Sequence, residues 1–309
     1  MSDINPLRRS KHFTALAQMF LVTLLWSSSF PIHKALINGG MPPLSLAAYR
    51  YFSASLILLV ALEVRSRTKN RSPLTRQRLD SSHWLIILVI GLFMYTAQGV
   101  HLTALSLISA SDSGLVSMTF LPVAVAVLVS IIEKAPPGRI QLCGLGIILA
   151  GIYTYFPHNL QSTRLAGILL NVLSSSMWAV AAVLTHIAVS KMRIASLKLT
   201  TVSMITGSSV LLIIALLHDR FYIPNSGQIL WMAYLALVNT AFGFALYNHT
   251  MKSLGAFEIA TFQDSMVIQI GILSAIFLGE SITPAMAMGM LLVVSGVVVV
   301  QYFAPERPG

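Results

Sequence analysis

The chain has 309 residues, of which 56% are apolar and only 10% charged, whereas a soluble globular domain carries roughly 25% charged residues and could not be covered by so little polar surface. Ten helices of about 20 apolar residues, each long enough to cross a bilayer, use up nearly the whole length and leave no room for a sizeable soluble domain. The net charge of +10 does not point to nucleic acid, because the basic residues are grouped in particular connections, as membrane orientation requires, and not on a soluble face.

In chain order, the polar clusters divide the sequence into spans at Ala15 to Ile37, Leu44 to Leu62, Trp84 to Leu107, Asp112 to Ile132, and Ile140 to Phe156. Five more follow at Leu165 to Val189, Leu197 to Leu217, Gln228 to His249, Phe257 to Leu278, and Pro284 to Phe303. The first span is preceded by Arg8, Arg9 and Lys11, like a signal peptide, but its apolar run exceeds 20 residues and nine more spans follow, so it reads as retained. The link between the third and fourth spans is short, Ser109 to Ser113. The longest connection, Glu63 to His83, is basic, contains Pro73, and reads as a flexible loop beside anionic lipid. Cys143, the single cysteine, lies in an apolar run, which leaves no intrachain disulfide and no cysteine metal cluster.

The distribution of Lys and Arg tests this division. With the N-terminus placed in the cytoplasm, sixteen basic residues fall on inside segments: Arg8, Arg9, Lys11, Arg65, Arg67, Lys69, Arg71, Arg76, Arg78, Lys134, Arg139, Lys191, Arg193, Lys198, Lys252 and Arg307. Only Lys34, Arg164 and Arg220 fall outside, and Arg50 lies within the second span. That bias predicts an even number of spans with both termini cytoplasmic.

An internal repeat organises the spans. Ala104 to Gly114, reading ALSLISASDSG, resembles Thr250 to Ala260, reading TMKSLGAFEIA. The first copy continues with Glu133, Gly144 and Gly151, the second with Glu280, Gly289 and Gly296, the glycines seven apart each time. Trp26 and Trp178 mark the first helix of each half. The divisions are residues 1–14 as an N-terminal tail, 15–157 and 165–303 as five-helix repeats, and 304–309 as a C-terminal tail. Five being odd, the second copy enters the membrane from the opposite side. Carriers built from such inverted repeats hold their solute near the bilayer midplane and expose it to each side in turn.

These residues resemble the drug/metabolite transporter superfamily in its ten-helix, two-repeat (EamA-type) branch. The likeness rests on LLWSSSF (Leu24 to Phe30), Arg50 within AAYRYF, ASDSGLVSMTFLPV with Pro122, FLGESIT with Glu280, and the two glycine pairs. Within the branch the chain looks most like bacterial exporters of aromatic amino acids and other metabolites. The resemblance implies an all-α integral membrane protein, a basket of ten helices around a central cavity bounded mainly by the third, fourth, eighth and ninth. It implies export across a bacterial inner membrane. One departure is that the second repeat has no proline near Met266 to Ile270, where the first has Pro122; Gln269 stands nearby.

Polar groups inside spans are costly and tend to face a cavity or a partner helix. Tyr95, Gln98 and His101 recur every three residues on one helical stripe that could present hydrogen bonds to a solute or to a neighbouring helix. Trp26 and Trp178 lie deep in their spans, away from the interfacial belts, where an aromatic wall suits an aromatic or apolar solute but equally suits packing. Tyr247, Asn248 and Gln263 are the corresponding substrate-binding candidates in the second repeat. Asp264 is the one acidic residue well inside a span and could take up a proton, hold an ammonium group or pair with a neighbour. Arg50, the one basic residue deep in a span, reads as a pairing or snorkelling group rather than as the binder of a substrate carboxylate. Pro31 and Pro122 are candidate hinges, and the spaced glycines read as packing residues.

The expected function is secondary, non-ATP export of small amphipathic metabolites, chiefly amino acids including aromatic ones, by a monomer in the lipid bilayer, without cofactor or metal. No G-x-S-x-G, H-E-x-x-H or P-loop is present, nor the charge rings or filter repeat of a channel. An exporter of another metabolite or cationic drug, an intramembrane enzyme and a channel are the alternatives.

Overall fold

The computed structural model describes residues 6–69, 80–133, 138–156, 161–251 and 253–302. Ten helices run through them: α1 (Pro6–Asn38), α2 (Pro43–Lys69), α3 (Ser81–Leu107), α4 (Ala110–Glu133), α5 (Arg139–Tyr155), α6 (Ser162–Ser190) and α7 (Ser196–His218). The eighth, α8, has three consecutive segments, Ser226–Tyr234, the π-helical Leu235–Phe242, and Gly243–Thr250. The ninth, α9, has two, Ala256–Asp264 and Met266–Leu278, and α10 is Pro284–Tyr302. Among the described residues eight helical stretches are long and apolar enough to cross a membrane, and α5 is a shorter apolar helix. The π-helical turn interrupts α8.

The bounds expected from the polar clusters differ from the helices mainly at the start: α1 begins at Pro6, so much of the stretch drawn as a tail is helical. Between α3 and α4 the chain turns within two residues, with Ile108 extended at φ −127°, ψ 167°, and α4 begins two residues before Asp112. Residues 304–309, with Arg307, and the middle of the long basic loop, with Arg71, Arg76 and Arg78, lie outside the described residues, as do Lys134 and Lys252.

The two five-helix sets exchange partners. Helix α1 packs against α8 and α9 of the second set, while α6 packs against α3 and α4 of the first; α2 and α7 pack against each other, α2 also against α8 and α7 against α3. Helices α5 and α10 pair along their length. Each set thus lends its first helix to the other, which places the contact between repeats, and not the middle of either one, at the molecule's centre.

The α5–α10 pair shows why the glycines recur every seven residues. A Cβ built on Gly144 would lie 3.0 Å from the Gly296 carbonyl oxygen, and one on Gly296 2.8 Å from that of Gly144. The same reciprocal contact joins Gly151 and Gly289, at 2.9 and 2.8 Å. Small residues at matched positions let two helices touch backbone to backbone, the main source of association where no water drives apolar surfaces together.

Side chains fasten the helix ends on the face opposite the N-terminus. Glu280, just past the left-handed Gly279 that closes α9, accepts from the backbone N–H of Ala110 (2.7 Å) and Ser111 (3.0 Å) and from the Ser111 hydroxyl (2.6 Å). A carboxylate there satisfies orphan donors and meets the positive end of the α4 dipole. Asp219 does the same for α2 through Ser45, and Lys34 Nζ donates to the Leu105 carbonyl at the end of α3, 2.8 Å away.

Candidate functional site

The exchange of helices carries Trp26 of α1 into the second repeat. Its indole N–H donates to the Asn239 backbone carbonyl at 3.2 Å, its ring meets that of Tyr247 at a centroid distance of 5.1 Å, and a Cβ on Gly243 would come within 2.9 Å of its Nε1. Asn239 sits in the π-helical segment, thirteen residues after the start of α8 and eleven before its end. This contact is therefore near mid-span. π-Helical turns recur at functional sites because the widened turn re-aims carbonyls and side chains; here one carbonyl is turned to the tryptophan.

A polar cluster grows from the same asparagine. Asn239 Nδ2 donates to the Leu25 carbonyl, and its Oδ1 accepts from Arg50 Nη2 at 3.0 Å. Arg50 Nη2 also donates to the Thr240 hydroxyl at 3.3 Å, and Nη1 to His33 Nε2 at 2.7 Å. Its guanidinium carbon lies 5.0 Å from the Tyr51 ring centroid. Arg50 is 7% and His33 3% exposed. A charge removed from water to that degree costs several kcal/mol unless compensated, and among the described residues its partners carry no negative charge. Of the roles expected for Arg50, snorkelling does not occur, because the side chain reaches the mid-span Asn239.

A second network lies between α3, α4 and α6. His101 Nδ1 is 3.0 Å from Asn171 Oδ1, which also accepts from the Ser117 hydroxyl at 2.9 Å. Asn171 Nδ2 donates to the Ser113 carbonyl and hydroxyl, and the imidazole meets the edge of Phe30 at 5.4 Å. Tyr95, on the same stripe, is buried against Tyr51 at 5.4 Å and close to Gly207 of α7. Gln98 is half-buried between them. Trp178 is half-buried in α6.

On α9, Gln263 lies beside Tyr247 and thus joins the tryptophan side of the site. Asp264 does not: it is buried and accepts from Gln301 Nε2 of α10 at 3.3 Å, while its second oxygen meets no donor. Asn248 lies in the last segment of α8, its side chain outside those described. Pro31 and Pro122 sit inside α1 and α4, both of which run on unbroken. The helix that does break is α9, at Ser265, without any proline. Gln269 Nε2 reaches back to the Ser265 hydroxyl (3.1 Å) and across to Thr23 (3.1 Å), and its Oε1 accepts from Ser27 (3.0 Å). The residue that stands in for the missing proline is thus the tie between α9 and α1.

Sequence reasoning passed over Asn239, Asn171 and His33. The two amides carry the networks, and a mid-span asparagine is itself a signal, since lipid offers it no partner. A separate hollow on α8 is lined by Leu230, Trp231, Tyr234 and Leu237.

A solved protein crystal structure aligns with 96% of this chain and 99% of its own at 17% identity and a TM-score of 0.65, a likeness of fold. No curated protein matches at a significant level. The model of the EamA-like transporter family matches the chain twice, over residues 13–156 and 165–302, one match for each five-helix set. The chain belongs to the EamA-like transporter family, a family of membrane transporters of small molecules.

Proposed function

We propose that this transporter exports small amphipathic metabolites, chiefly amino acids including aromatic ones, from the cytoplasm across a bacterial inner membrane by alternating access, with both termini cytoplasmic. The observation that carries the reading is the mid-span contact of Trp26 with Asn239 and Tyr247, an aromatic and polar surface made jointly by both repeats. A solute bound there touches elements from each half, so rocking one half against the other changes the side to which it is exposed.

In this reading Trp26, Tyr95, Gln98, His101, Trp178, Tyr247, Asn248 and Gln263 bind the solute, Pro31 and Pro122 bend, and Asp264 takes up a proton or an ammonium group. No cofactor or metal takes part, and the working unit is a monomer. Sixteen basic residues on the N-terminal side of the spans against three on the other support the orientation.

The test is transport in proteoliposomes of the purified full chain, with a panel of amino acids, nucleosides and cationic drugs and with pH gradients of either sign. Preloaded solute should accelerate entry of labelled amino acid. Flux without such counterflow would indicate a pore, and chemical change of a solute in detergent would indicate an enzyme.

A further inference from the structure

Arg50 is a buried cation within a membrane-spanning helix, with no acid beside it among the described residues. Among the described residues its guanidinium meets His33, Asn239, Thr240 and the Tyr51 ring, none of which carries negative charge in that role. Arg164 provides the contrast within the same chain, since Asp112 neutralises it through two parallel hydrogen bonds. Asp264, an acid well inside a span, is held by Gln301 of α10 and does not meet Arg50.

The hydrogen-bond count leads the same way. Arginine has five N–H donors and no acceptor, so in the contact with His33 the imidazole Nε2 accepts and Nδ1 carries the hydrogen. That Nδ1–H is buried without a partner, and so is the Arg50 Nε–H. Two buried donors and one unneutralised positive charge, on two touching side chains, lack the same thing: an anion with several acceptor atoms. Buried donors without acceptors are rare in native structures and call for a specific explanation.

The surroundings define the rest of that anion's carrier. Asn239 accepts from Arg50 through its side chain and from Trp26 through its backbone, so the cation and the Trp26–Tyr247 pair are one residue apart. The Tyr51 ring lies against the guanidinium, and Tyr95 packs in turn on Tyr51. The geometry points to Arg50, with His33, as the binding group for the carboxylate of an amphipathic substrate whose apolar or aromatic body lies toward Trp26. Arginine suits this role because its fork matches the two oxygens of a carboxylate and stays charged when buried. The assignment rests on the transport reading above and narrows it to solutes that bear a carboxylate.

Counterflow in proteoliposomes with three matched probes tests it: L-phenylalanine, hydrocinnamate, which lacks the ammonium group, and phenethylamine, which lacks the carboxylate. Wild-type protein should exchange the two acids at least about tenfold better than the amine, the worth of one or two charge-assisted hydrogen bonds. Arg50→Gln should lose that preference, and Arg50→Lys should keep part of it. A measurement free of variants is the thermal stability of the wild-type protein in detergent, which hydrocinnamate should raise and phenethylamine should not. Equal exchange of amine and acids by wild type, or an undiminished acid preference in Arg50→Gln, overturns the assignment while leaving a working carrier. Exchange of nucleosides or cationic drugs but of neither acid also overturns it, and no exchange of any solute overturns the transport reading with it.

Discussion

Arg164 and Asp112 meet fork to fork, Nε to Oδ2 at 2.9 Å and Nη2 to Oδ1 at 2.8 Å, and the second repeat makes the same tie on the other face of the membrane with His12 and Glu258, 3.1 Å apart. Asp112 and Glu258 are each the third residue of α4 and α9. Arg164 and His12 each stand fourteen residues before a tryptophan, Trp178 and Trp26. The pairs join α6 to α4 and α1 to α9, the contacts created by the exchange of first helices, and they differ in strength. The Asp112 side chain is 2% exposed and Arg164 30%, against 36% and 46% for Glu258 and His12.

Removing one partner of the stronger pair should therefore loosen the face opposite the N-terminus. Arg164→Gln leaves Asp112 buried without its counter-charge, and breaking a buried pair costs about 3–5 kcal/mol, here toward the lower end because Arg164 is partly exposed. The double variant with Asp112→Asn should recover part of that loss. Thermal unfolding of the four proteins in detergent gives the coupling, and strictly additive losses would mean the two groups do not stabilise each other.

The weaker pair joins one imidazole nitrogen to one carboxylate oxygen, where its counterpart has two parallel bonds. His12→Arg should give it the same fork and slow opening of the face that carries the N-terminus. The measure is the rate of counterflow, which should fall in the variant while its melting temperature rises. An unchanged rate would show that this contact does not limit the cycle.

Trp26→Phe keeps a ring against Tyr247 but removes the donor to the Asn239 carbonyl. Loss of one neutral hydrogen bond, about 1 kcal/mol, should raise KM for an aromatic solute about fivefold with little change in kcat. A fall in kcat at constant KM would instead make the indole part of the moving joint.

Much of this arrangement was legible beforehand, for identifiable reasons. Polar clusters bound the apolar runs, so the ends of α3, α5, α7 and α10 lie within about three residues of their expected places. Gly144, Gly151, Gly289 and Gly296 were readable as packing residues because their spacing returns to one helical face. The exchange of α1 and α6 was not readable, since a repeat shows which helices correspond and not which ones touch. Nor was the break in α9: proline is the usual signal for one, yet α4 continues through Pro122 and α9 breaks at Ser265, beside the Gln269 side chain. Asp264 was singled out by its depth, and only the fold shows that it turns to Gln301 and away from Trp26.

The glycine contacts make a prediction about folding. In Gly151→Leu the new Cβ would start 2.8 Å from the Val293 backbone nitrogen and 2.9 Å from the Gly289 carbonyl oxygen, and neither backbone can move without parting α5 from α10. Overpacking of this kind costs about 1–3 kcal/mol or more. Gly146→Leu, where nothing lies within 4 Å, is the control in the same helix. Yield and melting temperature should fall for the first and hold for the second.

Asp264 carries the last prediction. It is buried where α9 breaks, with one oxygen bonded to Gln301 and the other without a donor, and ionisable groups inside spans commonly serve proton relays. A group so placed can bind a proton in one state of the cycle and release it in the other. Asp264→Asn preserves the shape and the bond from Gln301 Nε2, and removes only the ability to titrate. Counterflow, which needs no net proton movement, should survive in the variant, whereas accumulation driven by an imposed pH gradient should disappear. Gradient-driven accumulation that persists in Asp264→Asn, with normal yield, would leave the carboxylate as a helix-to-helix contact between α9 and α10 and place any coupling proton elsewhere.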